Sequence, residues 1–86
     1  MYKDIRMFSI DKQVIIVFNG EIYNFKKLKV KLESNGVTFK TKSDTEVILQ
    51  MYMNYGAEAF KELDGMFAFS IYDKRINKLF ITYDEE

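Results

Sequence analysis

Asn19 and Gly20 set two hydrogen-bond donors side by side, a side-chain amide and a backbone N–H with no Cβ beside it. Aimed at one point, such a pair stabilises the negative charge that develops on a carbonyl oxygen under attack. Glu21 follows directly, and its carboxylate suits an ammonium group. The same dipeptide between apolar runs is also the strongest short-range signal for a two-residue hairpin turn. Residue types and spacing leave the turn and the donor pair both open. Asp44 has a similar double reading. As a carboxylate at a helix start it would stabilise that helix by about 0.3–1 kcal/mol. Held rigidly there, it would also present an anion to a substrate amine.

The elements that must position these groups follow from the pattern along the chain. Residues 14–18 are β-branched and aromatic and predict a buried strand, which Asn19-Gly20 ends. Asn24 is placed to cap a helix running to about Ser34, with Phe25, Leu28 and Leu32 on one face and Val30 off it. Asn35-Gly36 supplies its stop. Residues 37–40 form a short strand or extended connector. Ser43-Asp44-Thr45-Glu46 has the form of a capping box, with Glu three residues after Ser. Behind it Val47, Ile48, Met51, Tyr52 and Tyr55 make a broad apolar stripe. Gly56 breaks this second helix, and residues 57–63 form a further short one. Asp64-Gly65 is expected as a turn. Residues 66–72 and 79–83 are strands joined by a polar loop, and their short separation predicts an antiparallel hairpin. The order strand, helix, helix, strand, strand gives an α+β fold with helices on one face of an antiparallel sheet.

Composition narrows the chemistry. The 86 residues suit one small domain spanning 1–86, and 48% are apolar with 16% aromatic, far too apolar for a disordered chain. Thirteen basic and thirteen acidic side chains cancel, which argues against nucleic acid as a partner. No apolar run is long enough to span a bilayer, and Met1-Tyr2-Lys3-Asp4-Ile5-Arg6 has no signal-peptide core. The chain contains no Cys, His or Pro, so thiol and imidazole chemistry and Cys/His zinc sites are excluded. No cofactor or metal is expected, and a cytoplasmic location suits the lack of Cys. The run Lys26-Lys27-Leu28-Lys29-Val30-Lys31 is read as a solvated helix face, and Asp84-Glu85-Glu86 as a solvated tail.

Three strings occur in order: Val17-Phe18-Asn19-Gly20-Glu21-Ile22-Tyr23-Asn24, then Ser43-Asp44-Thr45-Glu46-Val47-Ile48-Leu49, then Leu63-Asp64-Gly65-Met66-Phe67-Ala68-Phe69. Together, over about residues 14–84, they resemble the class II glutamine amidotransferase domain of glutamine-hydrolysing asparagine synthetases. The resemblance implies an N-terminal-nucleophile-hydrolase sandwich, with antiparallel sheets packed with helices. In that family a first-residue Cys attacks the glutamine side-chain amide, and the ammonia passes to an ATP-using synthetase domain. It further implies that Asn19 and the Gly20 N–H form an oxyanion hole, and that Glu21 and Asp44 hold the α-amino group of glutamine. Arg6-Met7-Phe8-Ser9-Ile10-Asp11 echoes the family string Arg-Leu-Ser-Ile-Ile-Asp, whose Arg pairs with the α-carboxylate, so Arg6 is the matching position.

The chain departs from the family pattern as well. It has no nucleophilic Cys, and Tyr2 cannot stand in for one. The family's Arg-Gly-Pro-Asp string is missing, and so is the synthetase domain. The expectation is a partial domain that retains part of the glutamine site without hydrolysing glutamine. A non-catalytic interaction module, or a subunit complementing a synthetase polypeptide, is the alternative. A sandwich without its outer pieces exposes sheet edges and apolar faces, so self-association or a synthetase-domain partner is expected.

Overall fold

The computed structural model describes residues 5–84. Met1, Tyr2 and the acidic residues Glu85 and Glu86 lie outside the described residues. The order of elements is β1 (Ile5–Phe8), β2 (Val14–Ile22), α1 (Phe25–Ser34), α2 (Asp44–Tyr55), a 3-10 helix (Ala57–Glu62), β3 (Gly65–Asp73) and β4 (Lys78–Asp84). The four strands form one antiparallel sheet in the order β1-β2-β3-β4. The helices fill the connection between β2 and β3. The α+β expectation holds, with strands of somewhat different extent.

Alternation along the strands builds the core. Val14, Ile16, Phe18 and Ile22 of β2 and Phe67, Phe69 and Ile71 of β3 are buried on one face. Against them pack Leu28 and Leu32 of α1 and Val47, Ile48, Leu49, Met51 and Tyr52 of α2. Val30 is exposed, as its place off the α1 stripe requires. The lysines of α1 face outward or stand half-exposed, with Lys31 paired to Glu62 at 3.0 Å. Phe80 of β4 joins Tyr52, Phe60 and Phe69 in an aromatic cluster with ring centroids 5.0–6.1 Å apart. No helix among the described residues is long and apolar enough to cross a membrane.

Two elements differ from the expectation. β1 was not foreseen. It folds back on β2 through a tight connection in which Ser9 N–H donates to Val14 O at 2.8 Å and Val14 N–H to Ser9 Oγ at 3.1 Å. The Asp11 carboxylate accepts from Ser9 Oγ at 2.6 Å and from Gln13 N–H at 3.0 Å, and Lys12 takes a left-handed backbone. Asp64-Gly65 is not a free turn, because Gly65 already opens β3 and faces Ile22.

The last residue of β3 and the polar loop after it share an ion pair whose carboxylate is buried and whose Arg75 side chain is 43% exposed. Asp73, 1% exposed, accepts from Tyr52 Oη at 2.6 Å and from Arg75 Nη2 and Nε at 2.7 and 2.9 Å. The Arg75 fork is the main cause holding the Asp73 carboxyl far below its ordinary value of 3.8. A carboxyl depressed in the folded state adds stability above its unfolded pKa and loses it as the pH falls below that value. Wild-type stability in urea should therefore drop as the pH falls below about 4, and Asp73→Asn should be destabilised at neutral pH by about 3 kcal/mol with a flatter acid limb. Parallel acid limbs in the two proteins would show that the pair does not carry this dependence.

Candidate functional site

Asn19 and Gly20 do not make a hairpin turn. They lie inside the nine-residue strand β2, with Asn19 opposite Ala68 and Gly20 opposite Phe67. Gly20 is required there for two reasons. Its φ of 124° is one that side chains with a Cβ rarely adopt. A Cβ would also fall on the carbonyl oxygen of Met66. Across the same stretch, a Cβ on Gly65 would fall on the carbonyl oxygen of Glu21. Two glycines, one on each strand, thus let the β2 and β3 backbones close together where the candidate donors sit.

The segment after these donors is tied down by Asn24. The sequence suggested a helix cap, but its side chain makes no cap bond to α1. Its Nδ2 donates to Glu62 O at 2.8 Å, and its Oδ1 accepts from Asp64 N–H at 3.0 Å. Tyr23 N–H also donates to Asp64 O at 2.6 Å. The end of β2 is therefore stapled to the residues that precede β3, and the side chain is spent on that staple rather than on the helix.

Asp44 arrives from the other side. Ser43 caps α2, its Oγ accepting from Thr45 N–H at 3.0 Å. The reciprocal half of the expected capping box is absent. Glu46, 4% exposed, instead accepts from Lys40 N–H at 2.9 Å and from Thr41 N–H and Oγ1 at 2.8 and 2.7 Å. Glu46 thus pins the connector that delivers Ser43 and Asp44. Asp44 is the first residue of α2, and its Oδ2 accepts from Ile22 N–H at 3.2 Å. The carboxylate is therefore one residue from Glu21 along the strand, although 22 residues separate Asp44 from Ile22 in sequence. Its Oδ1 accepts no hydrogen bond from the described residues.

The remaining candidate, Arg6, lies on β1 opposite Val17. Directly opposed residues share a face, and Val17 shares its face with Asn19, so Arg6 and Asn19 are diagonal neighbours on the face away from the helices. Asn19 is half-buried, while Gly20, Glu21 and Arg6 are exposed. Among the described residues the side chains of Asn19, Glu21 and Arg6 make no hydrogen bond or ion pair. The structure thus gathers Asn19, Gly20, Glu21 and Asp44 at one end of β2 and sets Arg6 one strand away. What the sequence reading missed are the supports, Asn24 and Glu46. Glu46 had a visible signal as the fourth residue of Ser43-Asp44-Thr45-Glu46, but its partner was assigned to the wrong backbone N–H.

Comparison with known proteins gives the family of this antiparallel sheet with its helices. A glutamine amidotransferase domain family matches residues 5–85, and the chain belongs to that family. Its relatives include asparagine synthetase [glutamine-hydrolyzing] 1 of Bacillus subtilis, 50% identical over 74 residues that cover 86% of this chain and 12% of that protein. A putative asparagine synthetase [glutamine-hydrolyzing] 2 of Methanocaldococcus jannaschii is 42% identical over 84 residues, covering 98% of this chain and 15% of that protein. Among solved structures, the glutamine phosphoribosylpyrophosphate amidotransferase of B. subtilis aligns with a TM-score of 0.75 at 25% identity, over 95% of this chain and 20% of that one. The α+β sheet-and-helix arrangement is therefore that of a class II amidotransferase, and the chain spans a small fraction of the length of each relative.

Substitutions at the two donor positions should separate architecture from chemistry. Gly20→Ala is expected to destabilise the fold by about 3 kcal/mol or more, through a strained φ and a clash with β3. Asn19→Ala should leave stability within about 0.5 kcal/mol. Urea unfolding measures both, and equal effects would contradict the close approach of β2 and β3 as the reason for Gly20.

Proposed function

We propose that this chain is a partial glutamine amidotransferase domain of the asparagine synthetase type that binds L-glutamine at the end of β2 without hydrolysing it. The Asn19 Nδ2 and the Gly20 N–H meet the side-chain carboxamide oxygen. Glu21 and the free Oδ1 of Asp44 hold the α-ammonium group, and Arg6 faces the α-carboxylate. The observation that carries this reading is the bond from Ile22 N–H to Asp44 Oδ2, which brings a distant carboxylate to the strand that bears the donors. The names of the relatives, glutamine-hydrolyzing synthetases, support glutamine as the ligand.

Catalysis needs more than this chain contains. Amide hydrolysis in the family proceeds through attack by a thiolate, and no Cys is present in the 86 residues. The oxyanion pair alone gives no covalent route, so the isolated chain should release no ammonia from glutamine.

A second reading is favoured by the sheet itself. The face away from the helices carries Phe8, Met66, Leu79, Ile81 and Tyr83, all about half-exposed or more, beside Ile15 and Val17. Among the described residues that face is uncovered, which suits an interaction module that self-associates or complements a synthetase polypeptide.

Calorimetric titration with glutamine tests the binding claim. The wild type should give a saturable heat at millimolar ligand. Asp44→Ala should abolish it, and Asn19→Ala should weaken it about tenfold, the effect of losing one hydrogen bond to a carbonyl oxygen. No heat from folded wild-type protein would end the proposal, and ammonia release above background would overturn the claim of inactivity.

A further inference from the structure

We propose that Glu46 is a positioning residue for the glutamine site put forward above, a reading on which this inference rests. Acting through Thr41 and Ser43, it holds Asp44 where the Asp44 carboxylate meets the α-ammonium group, and it does not touch the ligand itself. In a capping box, Glu at the fourth position accepts directly from the N–H of the capping residue. Here that bond runs through a relay. Ser43 N–H donates to Thr41 Oγ1 at 3.1 Å, and Thr41 Oγ1 donates in turn to Glu46 Oε1 at 2.7 Å. Glu46 Oε1 also accepts from Thr41 N–H at 2.8 Å, and Glu46 Oε2 accepts from Lys40 N–H at 2.9 Å. The Ser43 side chain closes the arrangement by accepting from Thr45 N–H at 3.0 Å. Ser43 is thus fixed at its backbone and at its hydroxyl, and Asp44 follows it directly.

The balance of bonds decides which contact sets the position of Asp44. Residues 37–43 are neither helix nor strand. None of the N–H groups of residues 38–43 donates to a backbone carbonyl among the described residues. Those of Lys40, Thr41 and Ser43 go instead to the Glu46 carboxylate and the Thr41 hydroxyl. Asp44 itself reaches the strand by a single bond, from Ile22 N–H to Oδ2 at 3.2 Å, the long limit for such a bond. The three bonds to Glu46 are shorter and converge on one buried carboxylate, where water competes little for them. The connector is therefore held from Glu46, and the Asp44 carboxylate takes the orientation that the connector allows. Residues two apart on a helix do not face each other, so Glu46 acts on the site only through the connector.

Thr41 is exposed, so the relay can be cut there without emptying the core. Thr41→Val removes the relay hydroxyl, keeps the side-chain shape and should weaken glutamine binding about fivefold in calorimetric titration. Thr41→Ser keeps the hydroxyl and should stay within about twofold of wild type. Glu46→Gln cannot accept at both ends of its side chain and should weaken binding about tenfold. Leu28→Ala empties a core position on α1 and should lower stability in urea without changing the affinity of the folded protein for glutamine. The amide proton of Ile22 gives a readout that needs no ligand. A loosened Asp44 weakens the bond from Ile22 N–H, so the Ile22 resonance should move upfield in Thr41→Val and Glu46→Gln and stay in place in Thr41→Ser. Equal glutamine affinities in Thr41→Val and Thr41→Ser would overturn the relay and leave the glutamine reading standing. No heat from folded wild type would overturn the glutamine reading, and the role of Glu46 in binding with it. An Ile22 amide at one position in wild type, Thr41→Val and Glu46→Gln would overturn the relay whether or not glutamine binds.

Discussion

The structure depends on how closely the β2 and β3 backbones approach between Gly20 and Gly65. At both positions a Cβ would collide with a carbonyl oxygen of the facing strand. Without the approach, Ile22 could not stay in register with Gly65, and the end of β2 would not stay aligned for Asp44. The same constraint explains why a motif that resembles a turn is found within a strand. Asn-Gly favours a hairpin where the chain must reverse, but here β2 continues past it, because the run from Val14 to Ile22 is paired with β3 at every residue.

Around this approach, polar side chains hold the backbone rather than the ligand. Asn24 bridges Glu62 and Asp64, and Glu46 takes three donors from Lys40 and Thr41. The Asn24 tie spans 38 and 40 residues of sequence, whereas the Glu46 tie is local and pins the connector to the first turn of α2. Through these ties the packing of α2 on the sheet becomes the position of Asp44 at the end of β2. Among the described residues the Asn19 amide, the Glu21 carboxylate and one oxygen of Asp44 make no hydrogen bond, and these are the side-chain groups proposed above for the ligand.

Much of the architecture was legible from pattern alone. The stripe of α2 gave its buried face at Val47, Ile48, Met51 and Tyr52, while Tyr55 at the end of the helix is exposed. β1 was not legible, because four residues that include an Arg carry too little pattern, and the strand is defined by its pairing with β2. Asp64-Gly65 looked like a turn, because the need for Gly65 comes from the Glu21 carbonyl on another strand, which local chemistry cannot reveal. The role of Asn24 was hidden for the same reason, as its partners lie 38 and 40 residues away. The candidate site was nameable only through the order of three strings. Geometry then added the contact between Asp44 and Ile22, which no spacing rule contains.

The claim that this end of β2 receives glutamine is tested most directly by backbone amide NMR during titration with the amino acid. The account predicts saturable shifts concentrated at the amides of Gly20 and Ile22 and near Asp44, with β4 unmoved. Uniformly absent shifts at millimolar glutamine, or shifts confined to residues remote from β2, would contradict it.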